Sequence, residues 1–262
     1  MKKQLIYLLT AVAALCVGCS DELADGQSGY GTLHIAGAAD GTIDTRAMTT
    51  PAGADFSLIL TRDDYKGEWA TVAEFEAADM LLKEGHYNAL IAHGDPNAEG
   101  VDKPYYVGRQ AFELLPRRLN TVSVTAQIAN SQLFVQTTPA FRAYFHEALF
   151  TVTTASKNVF TFRPGATSTD VAVYVKAATS LTITGTARRQ SQTGVGEGVA
   201  VKFGEQTLAA TTPRTRHTFS FDAKDAGSAT LTISLGDGVA ETRELNVELN
   251  DAAIPDPVKS EN

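Results

Sequence analysis

The chain has 262 residues, a formal net charge of −8 at pH 7 and 44% hydrophobic residues. This length suits one large domain or two of about 120 residues, and the hydrophobic content is sufficient for a packed core. The excess of acid argues against nucleic acid as a partner, because nucleic-acid binding depends on contacts from Lys and Arg to phosphate. It argues equally against electrostatic adsorption to anionic lipid.

The N-terminal segment has the pattern of a secretory signal. Two lysines follow Met1, residues 5–17 are almost unbroken apolar, and Gly18 precedes Cys19. The apolar stretch is shorter than the roughly 20 residues that a transmembrane helix needs. Because a cysteine would come first after the cut, the segment resembles a bacterial lipoprotein signal. That resemblance implies removal of residues 1–18 and acylation of Cys19, whereas an ordinary signal peptide that happens to end near a cysteine is the alternative.

The residues after Cys19 extend this prediction. Residues 20–22 (SDE) resemble the acidic export tag on surface-exposed lipoproteins of the Bacteroidetes, which implies an outer-membrane protein held at the cell surface by its lipid. Residues 19–29 are polar and contain glycine, so we expect a flexible tether. Only two cysteines occur, at positions 16 and 19, so the mature chain has no intrachain disulfide.

From residue 30 onward the pattern is strand, turn, strand. Alternating or β-rich runs recur every 8–12 residues with turn residues between them, which is typical of antiparallel sandwiches. In the first half the predicted strands are residues 32–35, 55–61, 86–92, 105–112 and 120–128. In the second half they are residues 133–137, 149–153, 159–162, 171–175, 181–184, 218–221, 229–235 and 242–249.

Helical signals are few. Residues 140–148 place three aromatic side chains at helical spacing after a proline, and residues 71–82 have room for one or two turns. The predicted fold is therefore all-β, with two tandem antiparallel β-sandwich domains of the immunoglobulin or transthyretin-like kind and at most two short helices. We place the domains at residues 30–129 and 130–250, followed by a disordered tail at residues 251–262.

Residues 82–87 (LKEGHY) form the most informative internal motif. Gly85 can adopt positive φ in a turn, and Tyr87 can lie over that turn and hydrogen-bond to its backbone. The motif resembles the L-x-x-G-x-Y element of transthyretin-like and fimbrillin-like domains, which implies an architectural role for Gly85 and Tyr87.

The order of the surrounding motifs strengthens this resemblance. Residues 55–58 (DFSL), Trp69, the glycine–tyrosine turn, residues 93–95 (HGD), residues 104–108 (PYYVG) and the strand at 120–128 follow in that order. Together they resemble a Bacteroidetes family of surface lipoproteins of unknown function, related in style to fimbrillins, the subunits and accessory proteins of type V pili. The similarity covers about residues 30–165 and extends weakly to 250. It implies a structural or adhesive role, with other pilus-like subunits or host or glycan ligands as partners.

Arg46 adds a sharper hypothesis. It follows the first predicted strand in a loop rich in Thr, Gly and Ala, where fimbrillin-like chains often carry a basic residue. Cleavage after Arg46 would release the first strand, and the open sheet edge would accept a strand from another subunit. The alternative is an arginine in a solvated loop.

Three aromatic residues support a second interpretation. Trp69, Tyr105 and Tyr106 are candidate ligand contacts, since aromatic faces stack on sugar rings, and a glycan- or ligand-binding lipoprotein for nutrient uptake would occupy the same location. The chain contains a single tryptophan, which is sparse for such a platform, and aromatic residues are more often part of a core.

Signals for catalysis and metal binding are absent from the sequence. The pair His146-Glu147 lacks the second histidine of a zinc protease motif, and residues 95–102 begin like a calcium loop but lack its closing glutamate. We therefore expect no enzyme activity, no cofactor and no metal.

Overall fold

A computed structural model of the chain describes residues 29–43, 46–165, 172–190, 198–225, 228–235 and 238–249. The predicted signal peptide, Cys19, nearly all of the predicted tether and the predicted tail at residues 251–262 lie outside the described residues.

The described residues of the first half contain ten strands, one α-helix and one 3-10 turn. The α-helix, α1, spans Val72–Ala77, and the 3-10 turn spans Gly53–Asp55. The strands are β1 (Tyr30–Asp40), β2 (Thr42–Ile43), β3 (Arg46–Ala47), β4 (Ser57–Arg62), β5 (Tyr65–Trp69), β6 (Leu82–Lys83), β7 (Gly85–His93), β8 (Gly100–Val101), β9 (Tyr106–Leu114) and β10 (Leu119–Ile128).

Within its described segments, the second half contains nine strands and one helix. The helix, α2, spans Pro139–Tyr144, with the hydroxyl of Thr138 accepting a hydrogen bond from the N–H of Phe141 at its N-terminus. The strands are β11 (Ser131–Thr137), β12 (Phe145–Thr154), β13 (Val159–Phe162), β14 (Val173–Val175), β15 (Leu181–Arg189), β16 (Val199–Leu208), β17 (Arg216–Asp225), β18 (Ser228–Leu235) and β19 (Gly238–Leu249).

The all-β fold class predicted from the sequence is confirmed, with two short helices. Strand β10 shows why these sequences form half-buried strands. Along its ten residues, exposed and buried positions alternate without exception, and Val122, Val124, Ala126 and Ile128 all face the core. This is the period of two that an extended chain imposes on its side chains.

The strands form two large sheets and one small hairpin. A seven-stranded sheet has the order β5-β4-β7-β9-β10-β1-β6, a ten-stranded sheet has the order β13-β12-β15-β16-β19-β18-β17-β11-β14-β8, and β2 pairs with β3. Most pairs are antiparallel, as predicted, but β1 pairs with β10 in parallel and β11 pairs with β17 in parallel. The alternation of apolar and polar residues predicts which face of a sheet a side chain occupies, but not the direction of the neighbouring strand. The two parallel pairs therefore could not be predicted from it.

Buried apolar residues form two clusters. One lies between residues 33 and 128 and also takes in Tyr174, and the other lies between residues 133 and 245. The second is rich in phenylalanine, with the rings of Phe150 and Phe221 stacked at a centroid distance of 3.8 Å. The described residues contain no cysteine, so the cohesion of this part of the chain comes from the two apolar clusters.

Several polar contacts join the two halves. Strand β8 pairs with β14, and the carboxylate of Glu99 accepts hydrogen bonds from the side chains of Thr154 and Asn158, both at 2.7 Å. The guanidinium of Arg214 lies 2.8 Å from the carboxylate of Asp40, the last residue of β1. Glu99 is thus used for structure in the segment that begins like a calcium loop.

Candidate functional site

The first strand is held in its sheet along one long edge. Strand β1 pairs with β10 in a continuous parallel register from Thr32 to Asp40, whereas β6 pairs only with Tyr30 and Gly31 on the other side. Its inward side chains, Leu33 and Ile35, are buried in the first core. For most of its length β1 is therefore an edge strand that fills an apolar groove.

The outer edge of β1 is covered by Glu76, near the C-terminal end of α1. One carboxylate oxygen accepts a hydrogen bond from the backbone N–H of Ile35 at 2.7 Å, and the other lies 3.0 Å from Nδ1 of His34. Helix α1 begins with its own cap, because the Thr71 hydroxyl accepts a hydrogen bond from the N–H of Glu74. The capped helix thus presents Glu76 to a backbone donor that would otherwise be a free edge group.

The 3-10 turn covers the next part of the same edge. The backbones of Gly37 and Gly53 approach so closely that a Cβ atom on Gly53 would lie 1.9 Å from the carbonyl oxygen of Gly37. Only glycine fits at position 53. Side-chain and backbone contacts from residues 53–76 therefore shield the edge of β1 between Ile35 and Gly37.

Arg46 lies in the connection that follows β1. Strands β2 and β3 form a short hairpin in which Ile43 pairs with Arg46 and Thr42 with Ala47. The carboxylate of Asp40 accepts a hydrogen bond from the N–H of Thr42 at 3.0 Å. A cut after Arg46 would separate all of β1 from the rest of the chain.

The glycine–tyrosine motif surrounds a turn at the start of β7. Gly85 has a φ of +136°, which a side chain would strain. The Tyr87 hydroxyl donates a hydrogen bond to the carbonyl of Lys83 at 2.8 Å, and Arg62 donates to that hydroxyl at 3.2 Å and lies over the ring. Burial raises the pKa of Tyr87 above its ordinary value, so the hydroxyl stays a donor. The ring of Phe112 also stacks on the Tyr87 ring, with their centroids 5.7 Å apart.

The three candidate ligand-contact aromatics are not brought together. Tyr106 is fully buried, with its hydroxyl donating to the carbonyl of Thr49, so it is unavailable to a ligand and that part of the prediction is wrong. Trp69 packs edge-on against Phe75 of α1 at 4.8 Å. Three strand spacings, about 14 Å, separate Trp69 from the strand that follows Tyr105.

A ligand-sized cleft lies in the second half of the chain. It has a volume of about 580 Å³ and is lined by Phe141, Arg142, His146, Leu149 and Arg163, among others. The register of β12 shifts between His146 and Leu149, which opens this side of the strand. No local sequence pattern predicts this cleft, because its walls include α2, β12 and the turn after β13.

Two kinds of feature are absent from the described residues. No group of three or more His, Cys, Asp and Glu side chains among them is placed to hold a metal ion. None of the helices in those segments is long and apolar enough to cross a membrane.

Sequence reasoning missed Glu76 as a contact of the first strand. The hydrogen bond joins residues that are 41 positions apart, and a carboxylate in a short amphipathic helix looks like any solvated surface residue. The only available signal was the capping Thr71 upstream, which sets where the helix starts.

Comparison with known proteins gives distant structures and one family. One crystal structure with some likeness is that of a candidate cell adhesion protein from Bacteroides eggerthii, with a TM-score of 0.39 and 9% identity over 86% of this chain and 96% of that chain. A second is that of candidate polysaccharide-binding proteins from Bacteroides thetaiotaomicron, with a TM-score of 0.42 and 8% identity over 85% of this chain and 99% of that chain. A third is that of a candidate cell adhesion protein from Bacteroides ovatus, with a TM-score of 0.42 and 9% identity over 81% of this chain and 99% of that chain. Likenesses this distant do not bear on function.

No curated protein matches the chain at a significant level. One family model matches residues 28–251, which is most of the chain and includes both buried clusters. The chain belongs to the family described as a domain of unknown function, DUF4493.

Proposed function

We propose that this chain is a lipid-anchored protein of the outer-membrane surface with a structural or adhesive role, as a fimbrillin-like subunit or a pilus accessory protein. It acts by binding other subunits or surface ligands and carries out no catalysis. The lipoprotein-like segment ending at Cys19 supports the location. The observation that carries the role is the attachment of β1, which is bound along one edge and followed by Arg46.

Release of β1 would create a defined acceptor for another strand. Removing it exposes the backbone edge of β10 and the groove that Leu33 and Ile35 fill. Burying each such side chain is worth about 1.5–3 kcal/mol, and the backbone groups of β10 lose their partners as well. A strand from a second subunit would restore both the apolar burial in the groove and the hydrogen bonds of the β10 backbone. Against this stands the conformational entropy that is lost when the incoming strand becomes ordered. Cleavage after Arg46 makes the exchange irreversible.

Brief trypsin treatment followed by size-exclusion chromatography tests this proposal. We expect the uncut protein to be monomeric, one early cut after Arg46, and oligomers afterwards. An Arg46→Ala variant should show neither the early cut nor the oligomers. A protein in which early cuts spread over Arg46, Arg62 and Lys66, and which stays monomeric throughout, would contradict the proposal.

Binding of a glycan or another surface ligand is a second candidate function. The cleft between α2 and β12 favours it, because its volume lies within the 300–1,000 Å³ typical of ligand sites. The test is a glycan array probed with the intact protein and with a His146→Trp variant that fills the cleft. Binding that the variant loses supports this function, whereas binding that is absent or unchanged by the variant excludes the cleft.

A further inference from the structure

Exposed apolar side chains are concentrated at one place on the described part of the chain. Four of the six large apolar residues that are exposed there lie around the start of β1, and we call them the basal patch: Tyr30, Met80, Leu81 and Leu119. Leu81 and Leu119 are each 65% exposed and Tyr30 is 54% exposed. The other two, Val101 and Val159, belong to β8 and β13 of the other large sheet.

Strand pairing makes the basal patch contiguous. Strands β10, β1 and β6 are neighbours, with Leu119 opposite Thr32 and Leu82 opposite Gly31. Tyr30 and Thr32 alternate with the buried Leu33, so Tyr30 and Leu119 share the outer face of the sheet. Leu81 directly precedes β6, two strand spacings or about 10 Å from Leu119.

The basal patch surrounds the point where the chain enters the fold, and that point is fixed by backbone hydrogen bonds. The N–H of Arg117 donates to the carbonyl of Tyr30 at 2.7 Å, and the N–H of Glu84 donates to the carbonyl of Gly29 at 2.8 Å. The N–H of Gly29 donates in turn to the Glu84 carboxylate at 2.9 Å. Residues 19–29 span at most about 40 Å when fully extended, so an anchor at Cys19 keeps the start of β1 within about 40 Å of the membrane surface.

We infer that the basal patch rests on the phospholipid surface, with Tyr30, Leu81 and Leu119 inserted at the boundary between headgroups and acyl chains. This rests on the lipid anchor of the proposed function. Tyrosine and leucine are suited to that boundary, because an amphipathic ring sits at headgroup level and an aliphatic side chain reaches below it.

Charge around the basal patch indicates the kind of lipid surface. Lys83, Arg117 and Arg118 lie beside it, but so do Asp79 and Glu84, and the whole chain carries a net charge of −8. Attraction to anionic lipid is therefore weak, and apolar insertion is the main contribution. Weak insertion is sufficient, because a short tether converts docking into an intramolecular step at an effective concentration of about millimolar. Docking fixes the orientation of the fold on the membrane. The membrane then covers the N-terminal end of β1 until the chain is cleaved after Arg46.

A single-thiol probe tests the inference. In the mature acylated protein Cys19 is blocked and Cys16 is removed, so a thiol introduced by Leu119→Cys is the only one available for an environment-sensitive dye. The labelled protein is placed in phosphatidylcholine vesicles that contain a lipid-borne quencher. Val159→Cys, an equally exposed apolar position on the other large sheet, is the matched control. We expect blue-shifted emission and strong quenching at position 119, little of either at position 159, and no dependence on salt.

A double variant and two controls distinguish docking on lipid from the alternatives. Tyr30→Ser combined with Leu81→Ser should abolish quenching at position 119 while the protein still sediments with the vesicles. Equal quenching at positions 119 and 159 would overturn the inference, as would a signal that rises with protein density at constant lipid, which would identify a second copy of the chain as the occupant. A protein that does not sediment with vesicles at all would instead show that the proposed lipid anchor is wrong, and the inference with it.

Discussion

Removal of the Glu76 carboxylate should loosen the first strand. The hydrogen bond from the N–H of Ile35 to Glu76, at 2.7 Å, has a charged acceptor, and such bonds contribute about 1.5–3 kcal/mol. The Glu76 side chain is 32% exposed, so we take the lower end, about 1.5–2 kcal/mol. The contact with His34, which is an ion pair only when the imidazole is protonated, is partly exposed and adds less than about 1 kcal/mol. Since about 1.4 kcal/mol corresponds to a factor of ten, Glu76→Ala should increase opening of β1 by roughly 10–30-fold.

Hydrogen exchange of the backbone amides of β1, followed by mass spectrometry on the uncut monomer, measures this opening. Glu76→Gln keeps an acceptor for the Ile35 N–H and loses only the charge, so it should raise exchange by no more than a few-fold. Glu113→Ala, which removes an exposed carboxylate from β9, is the control and should leave β1 unchanged. If Glu76→Ala leaves exchange of β1 at the native rate, or if Glu113→Ala speeds it equally, Glu76 does not hold the strand.

Three further outcomes are expected. Replacing Cys19 with Ala should move the protein from the membrane fraction to the soluble fraction, and a variant that still partitions with detergent would contradict acylation at that position. In denaturant unfolding, Tyr87→Phe should lower the free energy of unfolding by about 1 kcal/mol, the net contribution of one hydrogen bond. Gly85→Val should lower it more, because a β-branched residue tolerates the positive φ poorly. If both variants are as stable as the parent, Gly85 and Tyr87 do not have the architectural role. The N–H of Thr42 holds the pKa of Asp40 below its usual range, so the contribution of Asp40 to stability is present at neutral pH and lost as the pH falls below about 4. Asp40→Asn should therefore flatten the acid limb of a stability–pH curve, and an unchanged limb would count against this assignment.

Much of the fold follows from patterns that act over a few residues. The alternation in β10 was visible in the sequence and predicts the strand found. The proline at the first residue of α2 correctly indicates where that helix begins, but the predicted helix at residues 140–148 is too long, because residues 145–148 belong to β12. Strand β16 was missed because Gly204 and Glu205 interrupt its alternation after Phe203. Nearly all of this strand pairs with β15 and part of it with β19, so its state is decided by partners far along the chain.

The candidate site depends more heavily on long-range contacts. Strands β1 and β10 were both predicted, but their parallel pairing, which joins residues 87 positions apart such as Thr32 and Leu119, was not. Tyr106 is buried because it pairs with His93 across β7 and β9, and because its ring lies edge-on to the ring of Phe56. A pattern of aromatic residues does not distinguish a sugar platform from a core, because both require the same side chains and differ only in what packs on top.

A reversible lock on β1 tests most directly whether release of this strand drives assembly. Ala36 and Ser123 are paired on the outer face of β1 and β10, and neighbouring strands lie about 4.8 Å apart, within the range that a disulfide spans. With Ala36→Cys and Ser123→Cys in a chain that starts at residue 20, and so lacks both natural cysteines, the locking disulfide is the only one that the protein can form within itself. After a trypsin cut at Arg46, the oxidised protein should remain monomeric by size-exclusion chromatography, and adding a reductant should start oligomer formation. Oligomers that appear equally in the oxidised protein, or that fail to appear after reduction, would contradict strand release as the basis of assembly.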